Sequence, residues 1–277
     1  MTWIEPTIRF LAFVKQMKWR VLSCIGKSNR LCGLLSLPLI RHARMVFLRR
    51  IQPLPSRAGA YRGIQIPRYF FDHWISSQLD SVRGHVAEIG GAGYITRLGG
   101  SRVEKIDIVD IDPQNPQATI VADLSQADLI PDNSFDCLVV PFTFHIIYDF
   151  KSALGHSIRI LKPGGVLLAN FAGFGYTPAE APPEYRRWKR YWYFTPAGVK
   201  RVLEELVPSD NIEMAVFGNA FCLLAHCMGL SVAELTGREV NFQDKNFPLL
   251  TCAKVVKPEN LRAGCEEFKS KRPKGRS

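Results

Sequence analysis

The chain lacks any apolar stretch of the roughly 18–20 uninterrupted residues that a bilayer-spanning helix needs. Its longest run, LCGLLSLPLI over 31–40, falls well short and contains Pro38. A secretory h-region is missing too, because Arg9, Lys15, Lys18 and Arg20 interrupt the first apolar region. No two of the seven cysteines (24, 32, 137, 222, 227, 252 and 265) have C-x-x-C spacing, and their number is odd. They read as buried free thiols of a reducing compartment, so the chain is expected to be cytoplasmic and to hold no metal site. Acids are nearly absent from residues 1–83, where Glu5, Asp72 and Asp80 face 14 lysines and arginines. The rest of the chain balances 22 basic against 22 acidic side chains, so the formal excess of +11 sits in this first part. A protein that grips nucleic acid through its catalytic face carries its basic excess there, so this distribution argues against nucleic acid as the partner.

What remains is the composition of a folded, water-soluble domain: 277 residues, 47% apolar and 22% charged. Residues 7–25 carry helical periodicity, with Phe10, Phe13, Val14, Met17, Val21, Cys24 and Ile25 on one stripe and basic residues on both flanks. Such a helix suits an anionic membrane surface, or it docks on its own domain with snorkelling Lys and Arg. A second basic-apolar segment, 39–51, leads into QPLPS, a linker signal. The expected organisation is a basic helical extension over 1–57, a domain over 58–258 and a basic, disordered tail over 259–277. Residues 7–50 would supply any peripheral contact with the inner membrane surface.

From about residue 62 the pattern changes to short apolar runs alternating with helical stretches, the mark of a βα sheet. Strands are expected at 86–89, 103–109, 119–122, 136–140, 165–170, 212–217 and 249–256. Helices are expected within 62–84, after Gly93, over 149–161, from the Thr195 cap with Pro196 at its first position, and over 219–230. Residues 172–195 read as an ordered acceptor-side lid.

The segment VAEIGGAG (86–93) is a strand, an acid and a glycine-rich turn. A turn of this kind lets a ligand lie against bare backbone. Glu88, Gly90, Gly91, Ala92 and Gly93 are the candidate contacts. The next strand, VEKIDIVDIDP (103–113), offers a carboxylate to ribose hydroxyls, with Asp110 first choice, Asp107 second and Asp112 third. Asp123 is placed to accept from an adenine amino group, with the backbone N–H of Leu124 facing the ring. Asp136 opens the fourth strand, and RILKPGGVLLANF (159–171) ends a helix in a tight turn that starts the fifth.

As a set, the glycine loop, the acidic strand end, A-D-L, P-x-x-x-F-D and L-K-P-G-G resemble the class I S-adenosylmethionine-dependent methyltransferases over residues 84–175. The resemblance implies S-adenosylmethionine as cofactor. It also implies a Rossmann-like α/β fold, a mostly parallel seven-stranded sheet with an antiparallel last strand and helices on both faces. The segments RGIQIPRYF (62–70), NPQATIVADL (115–124), FDC…IIYD (135–149), RILKPGGVLLA (159–169), YWYFTPAG (191–198), FGN (217–219) and CMGLSVAEL (227–235) are similar to bacterial methyltransferase-domain proteins that accompany glycosyltransferases. That similarity implies O-methylation of a sugar or glycan precursor. Two departures stand out: Ala92 and Tyr94 occupy the second and third glycine positions of E-x-G-x-G-x-G, and TFHII (143–147) replaces a more common Q-T-L-Q-type stretch. Tyr94 either shifts the methionine end of the ligand or points away from it.

For the transfer itself, His145 is the candidate base on the loop after the fourth strand, followed by Tyr148. Asp149 reads as the cap of the next helix. Tyr185, Trp188, Tyr191 and Trp192, interleaved with Arg186, Arg187, Lys189 and Arg190, suit a sugar ring and an anionic group, or else a lid packed on the sheet. His226 and Cys227 read as core. The competing readings are a small-molecule or lipid methyltransferase, a nucleic-acid methyltransferase, and a non-catalytic binding subunit on the same fold. VPFTF after the fourth strand lacks the N/D-P-P-Y/F element that holds a base amino group, which counts against the second of these.

Overall fold

The computed structural model describes residues 62–175 and 189–260. The amphipathic extension, the basic tail beyond residue 260, Tyr185 and Trp188 lie outside the described residues.

The first helix, α1 (Ile66–Ser76), begins with Pro67 in its first turn, where a missing N–H costs nothing. Ile66, Phe70, Phe71, Trp74 and Ile75 recur at helical spacing and form its buried face. Then follow β1 (Gly84–Ile89), α2 (Gly93–Leu98), β2 (Val103–Asp110), the two-residue β3 (Ile120–Val121) and β4 (Phe135–Val140). The chain continues through α3 (Phe150–Arg159), β5 (Leu161–Ala172), α4 (Pro196–Glu204), β6 (Ile212–Phe217), α5 (Ala220–Cys227), α6 (Gly237–Asn241) and β7 (Leu250–Val256).

The strands form one seven-stranded sheet in the order β3-β2-β1-β4-β5-β7-β6. Pairing is parallel from β3 to β5, and β7 runs antiparallel to both β5 and β6. The central strands are buried on both faces, which is why they read as continuous apolar runs. In β4, Leu138 and Val140 join the cluster of α3 and α4 (Leu154, Ile158, Val199, Leu203), while Cys137 and Val139 join the cluster of α1, α2 and α5 (Phe71, Ile95, Ala225). The order reverses between β1 and β4, and in open α/β sheets the ligand crevice lies outside the carboxyl ends of the strands at that point.

Sequence boundaries shift where tertiary bonds intervene. α3 ends at Arg159 rather than 161, and β5 begins at Leu161 rather than 165. Leu161 pairs with Phe135, and the Lys162–Gly165 turn is a bulge inside the strand, not a free connection. Gly164 N donates to Lys257 O (2.8 Å), and Lys257 N donates to Gly165 O (2.9 Å). Lys257 Nζ, almost fully buried, reaches the carbonyls of Arg159 (2.8 Å) and Leu161 (2.7 Å) and so satisfies acceptors that the end of α3 leaves open. At the same amino-terminal edge, Asp136 accepts from Lys162 Nζ (2.7 Å) and His85 N (2.8 Å), tying β1, β4 and β5 together. Burial acts to raise its pKa, but these two partners hold it below the usual carboxylate value. A depression lined by Asp80, Arg83, Asp136, Gly164 and Lys254 lies at this edge, away from the crevice. Among the described residues no helix is long and apolar enough to cross a membrane.

Candidate functional site

The loop from Gly90 to Gly93 leaves β1 at the crevice. Gly90 has φ +84°, a conformation that side chains with a Cβ rarely adopt. A Cβ added at Gly90 or Gly93 would meet nothing within 4 Å, so this backbone borders open space that a ligand can fill. Glu88 is only 3% exposed and does not project into that space. Its carboxylate turns back on the loop and accepts from Tyr94 N (3.0 Å) and Ile95 N (2.9 Å), two of the amide groups that the start of α2 leaves without helical partners. Burial pushes its pKa up to about 7, against the pull of these backbone donors. Any effect of Glu88 on a ligand therefore passes through the shape of the loop.

Tyr94 points away from the crevice. It is buried, edge-on to Phe71 of α1 at 5.0 Å, with its hydroxyl 3.3 Å from Arg68 Nη1 and the Arg97 guanidinium over its ring at 5.1 Å. The tyrosine where a third glycine was expected fills the space between α1 and α2.

Asp110 closes β2 at the same edge. Its Oδ1 accepts from Asp112 N (2.9 Å) and its Oδ2 from Asn115 Nδ2 (2.6 Å). The same amide donates to Gly90 O at 3.1 Å, so Asn115 clips the acidic strand end to the glycine loop. An ionised carboxylate has about four acceptor positions. The two that remain on Asp110 match the two hydroxyls of a ribose. Asp107 sits deeper in the strand and is occupied: His85 Nε2 (2.6 Å), Thr119 Oγ1 (2.8 Å) and Lys105 Nζ (3.1 Å) surround it. Burial opposes its ionisation, but these three donors hold its pKa below the ordinary value. Asp123 caps a short turn through Oδ1, which accepts from Ser125 N (2.8 Å) and Oγ (2.7 Å), while the Leu124 side chain is buried.

The β4–α3 loop forms the other side of the crevice. Phe142 there has φ +47°, and its N–H donates to Asn170 Oδ1 at 3.0 Å. His145 follows in a single 3-10 turn, buried, with Nδ1 lacking a partner among the described residues. Burial first, and the Arg190 charge second, push its pKa down to about 3, so the ring is neutral near pH 7. Its carbonyl accepts from Tyr191 N (2.8 Å) and Trp192 N (3.3 Å), which seats the segment 190–194 against this loop. Tyr148 and Tyr191 are 72% and 51% exposed, their rings edge to face at 5.5 Å. Trp192 lies 6.0 Å from Tyr148, with Nε1 bonded to the carbonyls of Ile147 and Tyr148 at 3.0 Å each. Asp149 and Thr195 cap α3 and α4 through Ser152 N and Gly198 N, each at 3.1 Å.

The carboxyl edge of the sheet thus holds an open glycine loop, a half-satisfied carboxylate on β2 and a neutral histidine after β4. Residues 89–169 match a family described as a methyltransferase domain. Over those residues the chain is similar to a methyltransferase domain. S-adenosylmethionine is the methyl donor of such domains, and the open backbone at Gly90 and Gly93 beside the half-satisfied Asp110 carboxylate fits it. None of the curated proteins compared with the chain matches it. Among solved structures the chain is similar to the N-methyltransferase NodS from Bradyrhizobium japonicum, crystallised with S-adenosyl-L-homocysteine, at 17% identity over 68% of this chain and 88% of that one, TM-score 0.42. It is also similar to the CurJ carbon methyltransferase (16% identity, 64% of this chain, 49% of that one, TM-score 0.40) and to the YcgJ protein from Bacillus subtilis (13% identity, 69% and 100%, TM-score 0.36). These distant likenesses say nothing about the acceptor of this methyltransferase.

Sequence reasoning passed over Asn115 and Asn170. The signal for Asn170 was a lone polar residue inside the otherwise apolar run VLLANFA of β5. His226, read as core, is buried, but its Nδ1 has no partner among the described residues; Cys227 is half-buried.

Proposed function

We propose that this chain transfers a methyl group from S-adenosylmethionine to a hydroxyl of a sugar or glycan precursor. The observation that carries the reading is the exposed pair Tyr148 and Tyr191, backed by the half-buried Trp192 and set against the loop of His145. Sugar rings stack on such faces, and here the stacking surface borders a neutral imidazole at the crevice. The similarity of residues 62–70, 115–124, 159–169 and 191–198 to proteins that accompany glycosyltransferases supports the same acceptor class.

Gly90, Gly91, Ala92 and Gly93 would border the amino-acid portion of the cofactor, with Glu88 holding the Tyr94 and Ile95 amides that follow the loop. Asp110 would take the ribose hydroxyls, and Asp123 with Leu124 N would take the adenine edge. The bound cofactor supplies an electrophilic methyl group on a sulfonium. Tyr148, Tyr191 and Trp192 hold the acceptor in line behind that methyl group, where orientation contributes most of the rate. His145 accepts the hydroxyl hydrogen. The imidazole, neutral near pH 7, would take the proton that the acceptor hydroxyl loses on methylation and, at so low a pKa, hand it on to water.

The test is formation of S-adenosylhomocysteine by the full chain with matched sugar, amine and thiol acceptors. Turnover with hydroxyl sugars is expected. Tyr148→Ala should raise KM for the sugar roughly tenfold with kcat little changed, because one lost aromatic face costs about 1 kcal/mol or more. Turnover with amines or thiols alone would overturn the hydroxyl acceptor.

A further inference from the structure

The connection between β2 and β3 reaches back to the glycine loop, and one side chain in it touches both that loop and the acidic end of β2. Asn115 is flanked by Pro113 and Pro116, whose fixed φ angles leave the connection few alternative paths. Its backbone closes two turns, with Asn115 N donating to Asp112 O and Ala118 N donating to Asn115 O, each at 3.1 Å. The side chain is engaged at both ends. Oδ1 accepts from Gln117 N at 3.0 Å, which identifies the opposite atom as the NH2 group. That group donates to Asp110 Oδ2 at 2.6 Å and to Gly90 O at 3.1 Å, so both of its hydrogens have acceptors. The Gln117 side chain follows it toward the loop, its Oε1 lying 3.4 Å from where a Cβ on Gly91 would stand. Asp112 N holds the other oxygen of Asp110 at 2.9 Å. With one donor on each oxygen, the plane of the Asp110 carboxylate is fixed, and each oxygen keeps an acceptor position for a further donor. Without the Asn115 amide, Oδ2 would lose its hold and the carboxylate its link to Gly90.

We propose that Asn115 is a positioning residue for cofactor binding: its amide sets the Asp110 carboxylate against the glycine loop, so that both carboxylate oxygens meet the ribose diol together. The inference rests on the reading of Asp110 as the ribose acceptor and adds the group that aims it. Two adjacent hydroxyls need both oxygens of one carboxylate at once, and a carboxylate already held in that plane loses less freedom when the ligand arrives. The bond to Gly90 O also sets the spacing between the ribose acid and the backbone that borders the rest of the crevice. Asn115 acts through Asp110 and Gly90 and need not touch the ligand.

The experiment is calorimetric titration of the full chain with S-adenosylhomocysteine and with its 2′,3′-dideoxy analogue, which lacks both ribose hydroxyls. The wild type should bind S-adenosylhomocysteine roughly tenfold or more tightly than the analogue. Asn115→Ala should weaken S-adenosylhomocysteine roughly tenfold or more and change the analogue by less than about threefold, because only the parent ligand uses the aimed carboxylate. Asn115→Asp keeps an acceptor for Gln117 N and removes the donor, so it separates aiming from turn formation and serves if Asn115→Ala folds poorly. It should also weaken the parent ligand roughly tenfold or more and the analogue by less than about threefold. Equal losses for the two ligands would mean a general structural role and overturn the proposal, as would either variant binding S-adenosylhomocysteine like the wild type. A wild type that binds both ligands equally, or neither, would instead overturn Asp110 as the ribose acceptor, the reading on which the proposal rests.

Discussion

Glu88→Gln is the most informative single change to the cofactor side, because it alters a charge that the fold has buried against backbone donors. A carboxyl whose folded pKa, about 7, lies above its ordinary value of 4.5 binds its proton more tightly in the folded state. Its contribution to stability is complete below pH 4.5 and fades as pH rises through 7. Between pH 5 and pH 8 that contribution should fall by roughly 2–3 kcal/mol, which for a domain of this size is a shift in Tm of about 5–10 °C. Glutamine does not titrate. It keeps one acceptor for Tyr94 N or Ile95 N and turns an amide donor toward the other, a fixed cost of about 1–3 kcal/mol at every pH. His145 and His226 act in the opposite sense, since pKa values lowered to about 3 and about 4 give stability that is present above 6.5 and lost as pH falls through those values. Their effect is common to both proteins and cancels in the difference. Urea denaturation of wild type and Glu88→Gln at pH 5, 6, 7 and 8 should therefore show the variant less stable at pH 5 and level with wild type, or above it, at pH 8. A stability difference that stays constant across the range would refute the assignment of a proton-binding carboxyl beneath the loop.

Tyr94→Gly, which would restore the third glycine, should cost about 3–5 kcal/mol in urea denaturation by emptying the space between α1 and α2, and should not tighten S-adenosylmethionine binding in calorimetry. Asp110→Ala should weaken S-adenosylmethionine roughly a hundredfold or more by removing two charge-assisted hydrogen bonds, whereas Asp107→Asn should leave that affinity within about threefold and lower stability by about 1–3 kcal/mol. Gly165→Ala places a Cβ 2.8 Å from Lys162 O and 3.0 Å from Phe135 O, both backbone atoms, and a loss of about 1–3 kcal/mol is expected in thermal denaturation, with cofactor affinity preserved.

Much of the fold was legible in the chain because its signals are local. Strands buried on both faces must be apolar, so β4 and the VLLA run of β5 announced themselves, and Asp149 and Thr195 marked helix starts by the chemistry of capping. The glycine loop and the acid at the end of β2 were legible for the same reason, since a tight turn and a strand end are properties of neighbouring residues. Which carboxylate remains free for a ligand was not. Asp107 and Asp110 stand three residues apart on one strand, and only the approach of His85 from β1 and Thr119 from beyond β2 occupies the first and leaves the second half-open. The orientation of Tyr94 was decided by α1, which supplies Phe71 and Arg68 from more than twenty residues earlier in the sequence. Sequence by itself determined what each segment becomes, because propensity, periodicity and caps act over a few residues. The tertiary structure alone decided which polar groups are satisfied, because the partners that satisfy or abandon a buried group arrive from distant strands.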